Sequence, residues 1–371
     1  MSRDPAVAVT LGPVHVVGTG LLGTSVGLGL AGGSVRVTLD DPSPTALALA
    51  HDLGAGSVEV VDEPALVVVA APPDVTAAVV AAQLARFPSA TVTDVASVKE
   101  GVLRELVQRG ADLTRYVGGH PMAGRERSGP VAARGDLFIG RPWVVCPTDR
   151  AEPQRVDAVR RLALSLGAVP VAMAPEEHDA AVARVSHVPQ VAASLVAARL
   201  RHAPEAAVVL AGQGLRDVTR IAGSDPLLWA QILAANAGPV VEVLRELRSD
   251  LDDVIGALDA LAAEVPGGAA AGGRATVARA VAEGNLGRER IPGKHGGSPT
   301  TYAVVTVVLP DEPGSLGRLF ADIGAAGVNV EELALEHAPG RAVGLLEVSV
   351  LLGARDGLEK ALAATGWQVV A

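Results

Sequence analysis

Among the eight histidines of this 371-residue chain, His120 has the setting most typical of a catalytic group. It stands in the stretch Gly118-Gly119-His120-Pro121-Met122-Ala123-Gly124, directly after an apolar segment. An imidazole changes charge near neutral pH, so a histidine held in a glycine-rich turn is suited to accept or donate a proton. Glycines and a proline also form tight turns in which a histidine is incidental. A catalytic role for His120 therefore depends on a cofactor, a substrate site and a reaction supplied by the rest of the chain.

A glycine pattern typical of dinucleotide binding lies near the N-terminus. It follows an apolar run at residues 14–17 and precedes a helical pattern at residues 24–30, which is the strand, turn and helix context that such a pattern requires. The first glycine permits the turn, the second lets the backbone approach a pyrophosphate, and the third lets the helix pack on the strand. The free N–H groups at the helix N-terminus then receive the phosphates. The predicted cofactor-binding residues of this loop are Gly18, Thr19, Gly20, Leu21, Leu22 and Gly23.

The residue after the next predicted strand indicates which dinucleotide is bound. Residues 35–39 read as a strand that ends at Asp40, at the distance from the glycine loop where an acidic side chain binds the adenine ribose hydroxyls. Asp41 follows, where a protein that binds the 2′-phosphate of NADP would need an arginine. The sequence therefore predicts NAD as the cofactor.

The first half of the chain alternates strand and helix patterns. Apolar runs at residues 66–71, 91–95 and 116–117 alternate with helical patterns at residues 75–87 and 102–108, and this order predicts a Rossmann-like, doubly wound α/β sheet. In such sheets ligands bind beyond the carboxyl ends of the strands. The glycine loop, Ser97 and His120 each follow a predicted strand. We therefore expect them to meet at one edge and predict that Ser97 and His120 are catalytic.

From Pro175 onwards the pattern becomes helical for about a hundred residues. Helical runs are predicted at residues 175–201, 205–212, 226–261 and 274–284, with a kink at Gly238-Pro239. The long run from residue 226 carries an apolar face broader than one contact stripe requires, and this predicts a homodimer interface.

The helical region holds polar residues that a core does not need. His187 and Gln190 are three residues apart and share a helix face, so we predict that they line the substrate site. His178 lies nine residues before His187, which in a regular α-helix is the opposite face, so it is predicted to be a packing or capping residue. Arg216 and Arg220 are predicted to lie in a loop between helices, and Arg220 is the better candidate for binding a carboxylate.

Composition excludes several classes of function. Thirty-one basic against 41 acidic residues give a net charge of −10, and aromatics make up only 2%, which argues against nucleic-acid binding. No apolar stretch is long enough for a membrane span, and the N-terminus lacks a signal-peptide pattern, so a cytoplasmic protein is expected. Cys146 is the only cysteine and reads as part of a buried strand, and no histidine spacing indicates a metal site.

Several separated motifs occur in the order found in one enzyme family. The chain resembles the prephenate and arogenate dehydrogenases of tyrosine biosynthesis along essentially its whole length. The motifs that carry the resemblance lie at residues 18–23, 94–99, 119–124, 186–189, 219–222 and 225–226. Gln190 stands where this family often has a second histidine, and this difference leaves open whether the substrate is prephenate or arogenate.

The resemblance implies a reaction and a role for each residue. In this family a cyclohexadienyl alcohol loses hydride to NAD and carbon dioxide from its ring. His120 is then the base for the ring hydroxyl proton, and Ser97 contacts the same oxygen. Arg220 binds a substrate carboxylate, His187 and Gln190 line the side-chain end, and Lys99 is a weaker candidate for that pocket.

The C-terminal residues resemble an ACT domain, a small α+β regulatory module that commonly binds amino acids. The resemblance implies a tyrosine effector site at Asp311, Gly314 and Asn329, although a tail that only dimerises is an alternative. The predicted domains are a Rossmann-like NAD domain at 12–174, a helical substrate and dimerisation domain at 175–290, a linker at 291–300 and the ACT-like domain at 301–371. Two other functions stay open: a β-hydroxyacid dehydrogenase, which would want a catalytic lysine that residues 175–200 lack, and a non-catalytic NAD and amino-acid sensor.

Overall fold

The computed structural model describes residues 11–33, 35–59, 62–124, 129–263, 272–292, 302–337 and 342–370. The chain divides into two compact units, Met1–Arg248 and Ser249–Ala371. Most of the predicted linker, at residues 293–300, lies outside the described residues, as do Lys294 and His295.

The first unit contains a seven-stranded sheet with the order β2-β1-β3-β4-β5-β6-β7. Strands β1 to β5 are parallel, β6 is antiparallel to β5, and β7 is parallel to β6. The chain leaves β1 for β2 on one side and returns to β3 on the other, so the strand order reverses at β1, where ligands bind in such sheets. The strands are β1 (Val14–Val17), β2 (Val37–Asp40), β3 (Leu66–Val69), β4 (Thr91–Asp94), β5 (Tyr116–Pro121), β6 (Pro142–Pro147) and β7 (Val169–Ala172).

Helices cover the sheet and bury its two apolar faces. Alternate residues of the strands enter different clusters, because successive side chains of a strand point to opposite faces. Val68 of β3 packs in the cluster that contains Val26, whereas Val69 packs in the cluster that contains Leu106. The helices of this layer are α1 (Leu21–Ala31), α2 (Pro44–Asp52), α3 (Pro73–Arg86), α4 (Glu100–Gln108) and α5 (Pro153–Ser165). The predicted α/β fold class is confirmed, although the sequence patterns had not indicated α2.

The prediction that His120 lies in a turn is wrong. Strand β5 continues through Gly118 and Gly119 to Pro121, and His120 pairs with Val144 of the antiparallel strand β6. A side chain at Gly119 would overlap the carbonyl oxygen of Asp94, so the glycine is needed for close packing of neighbouring strands. Cys146 is buried in β6 as predicted, and burial raises the pKa of its thiol to about 12.

The helical part of the first unit differs from the predicted pattern in two places. Residues 226–261 are not one kinked helix: the chain bends by 95° at Asn236, before the Gly238-Pro239 pair. Arg216 lies within a helix, and Arg220 begins a 3-10 turn, so the predicted loop holds regular structure. The helices are α6 (Pro175–Val182), α7 (Val188–Arg199), α8 (Glu205–Val208), α9 (Gln213–Thr219), α10 (Pro226–Ala235) and α11 (Ala237–Ala262), whose residues after Arg248 belong to the second unit.

Helices α6 and α7 are joined by a π-helical segment, Ala183–His187. Within the described part of the chain, no single helix is long and apolar enough to cross a bilayer, and only the bent pair of α10 and α11 passes that test together.

The second unit contains a four-stranded antiparallel sheet with the order β11-β8-β10-β9. Its apolar core includes Val305, Leu319, Val348 and Leu358, which come from two strands and two helices. From Tyr302 onwards, the elements of this unit follow the order strand, helix, strand twice. The sequence patterns had not indicated the last helix and strand of the second repeat. The elements are α12 (Gly273–Glu289), β8 (Tyr302–Pro310), α13 (Ser315–Ala325), β9 (Glu332–His337), β10 (Val343–Leu351), α14 (Arg355–Ala364) and β11 (Gln368–Val370).

Candidate active site

The glycine loop between β1 and α1 has the shape of a dinucleotide cradle. Gly18 has φ +98°, and a side chain at Gly23 would overlap the Gly18 carbonyl oxygen, so both glycines are required by the backbone. A side chain at Gly20 would meet nothing within 4 Å, and this residue begins α1 without a side-chain cap. The N–H groups of the first turn are therefore open to phosphate oxygens, and the loop fits a pyrophosphate.

The two consecutive aspartates after the glycine loop have different contacts. Asp40 ends β2, and its carboxylate is half exposed, 3.7 Å from the guanidinium of Arg86. Asp41 holds the loop itself, because its Oδ2 accepts from the Thr19 N–H at 2.6 Å and its Oδ1 accepts from the Ser43 N–H at 2.7 Å. The structural role of Asp41 was not evident from the sequence.

His120 belongs to a chain of three hydrogen-bonded side chains. Its Nδ1 is 2.8 Å from Nε2 of His178, and Nδ1 of His178 is 2.7 Å from Oδ1 of Asp179. The two imidazole rings meet edge to face, with centroids 5.0 Å apart. His178 and Asp179 begin the helical region, so this chain joins β5 to α6.

The environment of His120 keeps its ring neutral. Its pKa is held well below the ordinary value of 6.5, first because burial disfavours the imidazolium, and then because a positive charge on His178, Lys99 or His187 opposes a second positive charge on His120. At neutral pH the ring is therefore an available base.

A buried ionic group lies beside the same strand. The Lys99 ammonium pairs with the Asp94 carboxylate, which also accepts from the Tyr116 hydroxyl at 2.7 Å. Lys99 is only 1% exposed. Its charge is therefore compensated by a buried carboxylate, and it acts on His120 through its electric field.

His187 lies at the end of the π-helical segment in a second group of contacts. Its Nδ1 is 3.0 Å from Nδ2 of Asn236, and its ring meets that of Trp229 edge to face at 6.0 Å. Burial lowers its pKa to about 4, partly offset by the negative charge of Asp179. His187 is thus neutral at working pH.

The remaining predicted residues lie on neighbouring elements. Ser97 follows β4, whose neighbour in the sheet is β5, and it is half-buried without a side-chain hydrogen bond to the described residues. The Gln190 amide oxygen accepts from the hydroxyl of Ser224 at 3.3 Å. Ser224 directly follows the 3-10 turn that begins at Arg220. The Arg220 side chain is exposed and has no ion pair within the described ranges.

His178 is the site residue that sequence reasoning missed. The prediction placed it on the helix face opposite His187 by assuming 3.6 residues per turn. The five-residue π segment between them turns more slowly than an α-helix and changes this phase, and such segments occur frequently at functional sites. The Asp that follows His178 was the available signal, because an acidic residue next to a histidine often orients it.

Comparisons with known proteins agree with this geometry. A sequence profile described as "Prephenate dehydrogenase, nucleotide-binding domain" matches residues 28–172, and one described as "Prephenate dehydrogenase, dimerization domain" matches residues 174–264. The chain is 38% identical over 338 residues to the "Probable prephenate dehydrogenase NovF" of Streptomyces niveus, covering 90% of this chain and 93% of that protein. It is 28% identical to the prephenate dehydrogenase of Bacillus subtilis, covering 87% and 90%.

A solved structure shares the fold over most of the chain. The crystal structure of prephenate dehydrogenase from A. aeolicus in complex with hydroxyphenyl propionate and NAD+ aligns with a TM-score of 0.65 at 26% identity, covering 76% of this chain and 99% of that one. The chain therefore belongs to the prephenate dehydrogenase family and is an NAD-dependent oxidoreductase.

Proposed function

We propose that this protein oxidises prephenate with NAD to 4-hydroxyphenylpyruvate and carbon dioxide, a step of tyrosine biosynthesis. The observation that carries the proposal is the neutral His120 ring at the carboxyl end of β5, in the same parallel sheet whose β1 ends in the glycine loop. The 38% identity to a probable prephenate dehydrogenase supports the same substrate.

His120 is the proposed base for the ring C4 hydroxyl. The bound NAD supplies the hydride acceptor for C4, and Gly18 to Gly23 with Asp40 are the residues proposed to hold it. As the hydride leaves C4, the hydroxyl proton passes to the imidazole and C4 becomes a carbonyl carbon. The bond from C1 to the ring carboxylate then breaks, carbon dioxide departs, and its electron pair makes the ring aromatic. The proton returns from His120 to the phenolate oxygen.

Other residues are proposed to bind the substrate. Ser97 contacts the C4 oxygen, and Arg220 pairs with a carboxylate through two parallel hydrogen bonds. His187 and Gln190 line the side-chain end of the pocket. Lys99 contributes through its charge rather than by direct contact, because its ammonium is paired with Asp94.

Arogenate is the alternative substrate, and it differs from prephenate in carrying an ammonium group where prephenate has a keto oxygen. Steady-state NADH formation with prephenate and arogenate side by side tests the proposal: a higher kcat/KM with prephenate is expected, and a higher value with arogenate would reverse the assignment.

A homodimer is part of the proposed function. Helix α11 exposes an apolar stripe in the region that matches the family's dimerization domain. The stripe consists of Leu247, Leu251, Ile255 and Leu258, which are 44%, 55%, 46% and 51% exposed. Burial of these side chains against a second copy would remove an apolar patch from water.

Tyrosine is the proposed effector of the C-terminal sheet unit. Gly314, in the left-handed region with φ +90°, begins α13. The N–H groups of this turn are proposed to receive the tyrosine carboxylate, with Asp311 and Asn329 as the other proposed contacts. Asn329→Ala should raise the tyrosine concentration that gives half-inhibition. Unchanged inhibition in this variant would remove Asn329 from the proposed effector site.

The proposed domain boundaries follow the same assignment: an NAD domain at 12–174, a helical domain at 175–290, a linker at 291–300 and an effector domain at 301–371. A cytoplasmic location is also proposed, and cell fractionation checks it.

A further inference from the structure

We infer that His178 and Asp179 position the proton of His120 on Nδ1, so that Nε2 is the atom that accepts the substrate proton. The inference rests on the proposed role of His120 as base, but it concerns a property of the free protein. It begins with Asp179, which is 2% exposed.

Both oxygens of the Asp179 carboxylate accept hydrogen bonds from backbone donors. Oδ1 accepts from the Lys99 N–H at 2.8 Å, and Oδ2 accepts from the Glu100 N–H at 2.9 Å. These N–H groups begin α4, where a negative charge is favoured by the helix dipole. A proton on either oxygen would compete with a backbone donor, so the carboxylate can only accept a hydrogen bond from His178.

This contact determines the tautomer of His178. Its Nδ1, 2.7 Å from Asp179, must carry a proton, and the neutral ring therefore has a bare Nε2. A second proton would place an imidazolium in a ring that is 0% exposed. The bare Nε2 of His178 lies 2.8 Å from Nδ1 of His120, so the hydrogen bond between the two rings requires a proton on His120 Nδ1.

The result for His120 follows from its other nitrogen. Within the described residues, the contact with His178 is the only hydrogen bond of the His120 ring. With Nδ1 protonated and the ring neutral, the lone pair on Nε2 is free. Without His178 the ring could adopt either tautomer, and the one with a proton on Nε2 could not act as the base. His178 and Asp179 are thus positioning residues.

The test reads the proton directly by solid-state 15N NMR of full-length protein labelled only at Nδ1 of histidine, at pH 8. The His120 and His178 signals, assigned by their loss in His→Asn variants, should both be those of protonated nitrogen. A bare Nδ1 at His120 would overturn the inference. The spectrum needs no substrate, so its outcome is independent of the proposed function. A protein that shows this tautomer but does not oxidise prephenate would contradict the proposed function and leave the tautomer assignment intact.

Two variants of similar length separate positioning from packing. His178→Gln keeps an acceptor oxygen at the place of Nε2, whereas His178→Met keeps the length without one. In His178→Met part of the His120 signal should become that of bare nitrogen and kcat should fall roughly tenfold or more, within the range of a positioned base. His178→Gln should restore both, with NADH affinity unchanged throughout. An unchanged His120 signal in His178→Met, or equal kcat in the two variants, would overturn the inference.

An independent contact assigns the opposite tautomer to His187, and we infer that it carries its proton on Nε2. Asn236 donates from Nδ2 to the backbone oxygen of Asp179 at 2.8 Å, which fixes the orientation of the amide because a carbonyl only accepts. The same nitrogen is 3.0 Å from His187 Nδ1, which must therefore accept. The substrate region would then contain one ring that accepts and one that donates.

The same Nδ1-labelled sample tests the assignment of His187. Its signal should be that of bare nitrogen in the wild-type protein, and a protonated signal would overturn the inference. In Asn236→Leu, part of the His187 signal should become that of protonated nitrogen while the His120 signal stays unchanged. If the His187 signal does not move, Asn236 does not determine the tautomer.

Discussion

At the scale of single residues, the site separates a base from the groups that orient it. His120 is the only histidine of the described site that combines partial exposure with a strongly lowered pKa. His178 is fully buried and joins it to Asp179. The contributions of His120 and His178 to turnover can therefore be measured by separate substitutions.

Replacement of His120 by asparagine should remove the base while keeping a side chain of similar polarity. We expect kcat to fall by roughly 10²–10⁴, the usual contribution of a positioned base, with NAD affinity kept because the glycine loop is untouched. Turnover with prephenate and fluorescence titration of NADH measure the two quantities. A decrease in kcat of less than about tenfold would show that His120 is not the base.

Replacement of Arg220 by alanine should mainly raise KM for the substrate. Loss of one charge-assisted hydrogen-bonded contact costs about 1.5–3 kcal/mol, which corresponds to a roughly 10- to 100-fold increase in KM. Arg216→Ala is the matched control, because Arg216 is also exposed and lies one turn earlier on α9. Equal effects of the two substitutions would mean that Arg220 has no specific contact with the substrate.

At the scale of elements, two glycines of the loop between β1 and α1 have different structural roles. Gly23 lies in α1 against the backbone of Gly18, whereas Gly20 faces open space and has φ −71°, which alanine also adopts. One glycine therefore serves the packing of helix on strand, and the other keeps room for the cofactor.

Gly23→Ala should destabilise the fold by about 1–3 kcal/mol, because its methyl group would overlap the Gly18 carbonyl oxygen. Gly20→Ala should leave the melting temperature unchanged and weaken NAD binding by roughly tenfold or more, as one lost or displaced phosphate contact would. Thermal melting without NAD and NADH titration give the two readouts. A lowered melting temperature in Gly20→Ala would contradict the assigned division of roles.

At the scale of the whole first unit, buried neutral histidines link stability to pH. The pKa values of His15 and His120 are lowered by burial, and that of His187 is lowered to about 4. Above pH 6.5 these rings are neutral in both the folded and the unfolded chain. As pH falls below 6.5, these histidines bind protons in the unfolded chain but stay neutral in the folded chain. The free energy of unfolding therefore decreases as pH falls.

His187 alone should make the free energy of unfolding about 2 kcal/mol lower at pH 5 than at pH 8. Urea unfolding at both pH values measures this difference. His187→Asn should reduce the difference by roughly that amount. His202→Asn, which changes an exposed histidine, should leave it as it is in the wild-type protein. A wild-type protein that is equally stable at the two pH values would contradict the lowered pKa values.

The chemistry of this protein was largely readable from the sequence, because its signals are local. The glycine loop, the acidic residue at the end of β2 and the stretch around His120 all lie next to apolar runs that periodicity and composition identify as strands. They predicted the fold class, the cofactor and the family, since a parallel sheet brings the ends of its strands to one edge.

Only the tertiary structure decided how the histidines are paired. His120 is 58 residues from His178, and no local sequence pattern predicts a hydrogen bond between residues that far apart. The π segment changes the phase between His178 and His187, and the break at Asn236 places an amide beside His187. Both features are local irregularities within helical regions, and an analysis based on regular helical periodicity does not detect them. The sequence thus determined which groups the protein has for its chemistry, and packing between distant elements determined which atom of each is available to react.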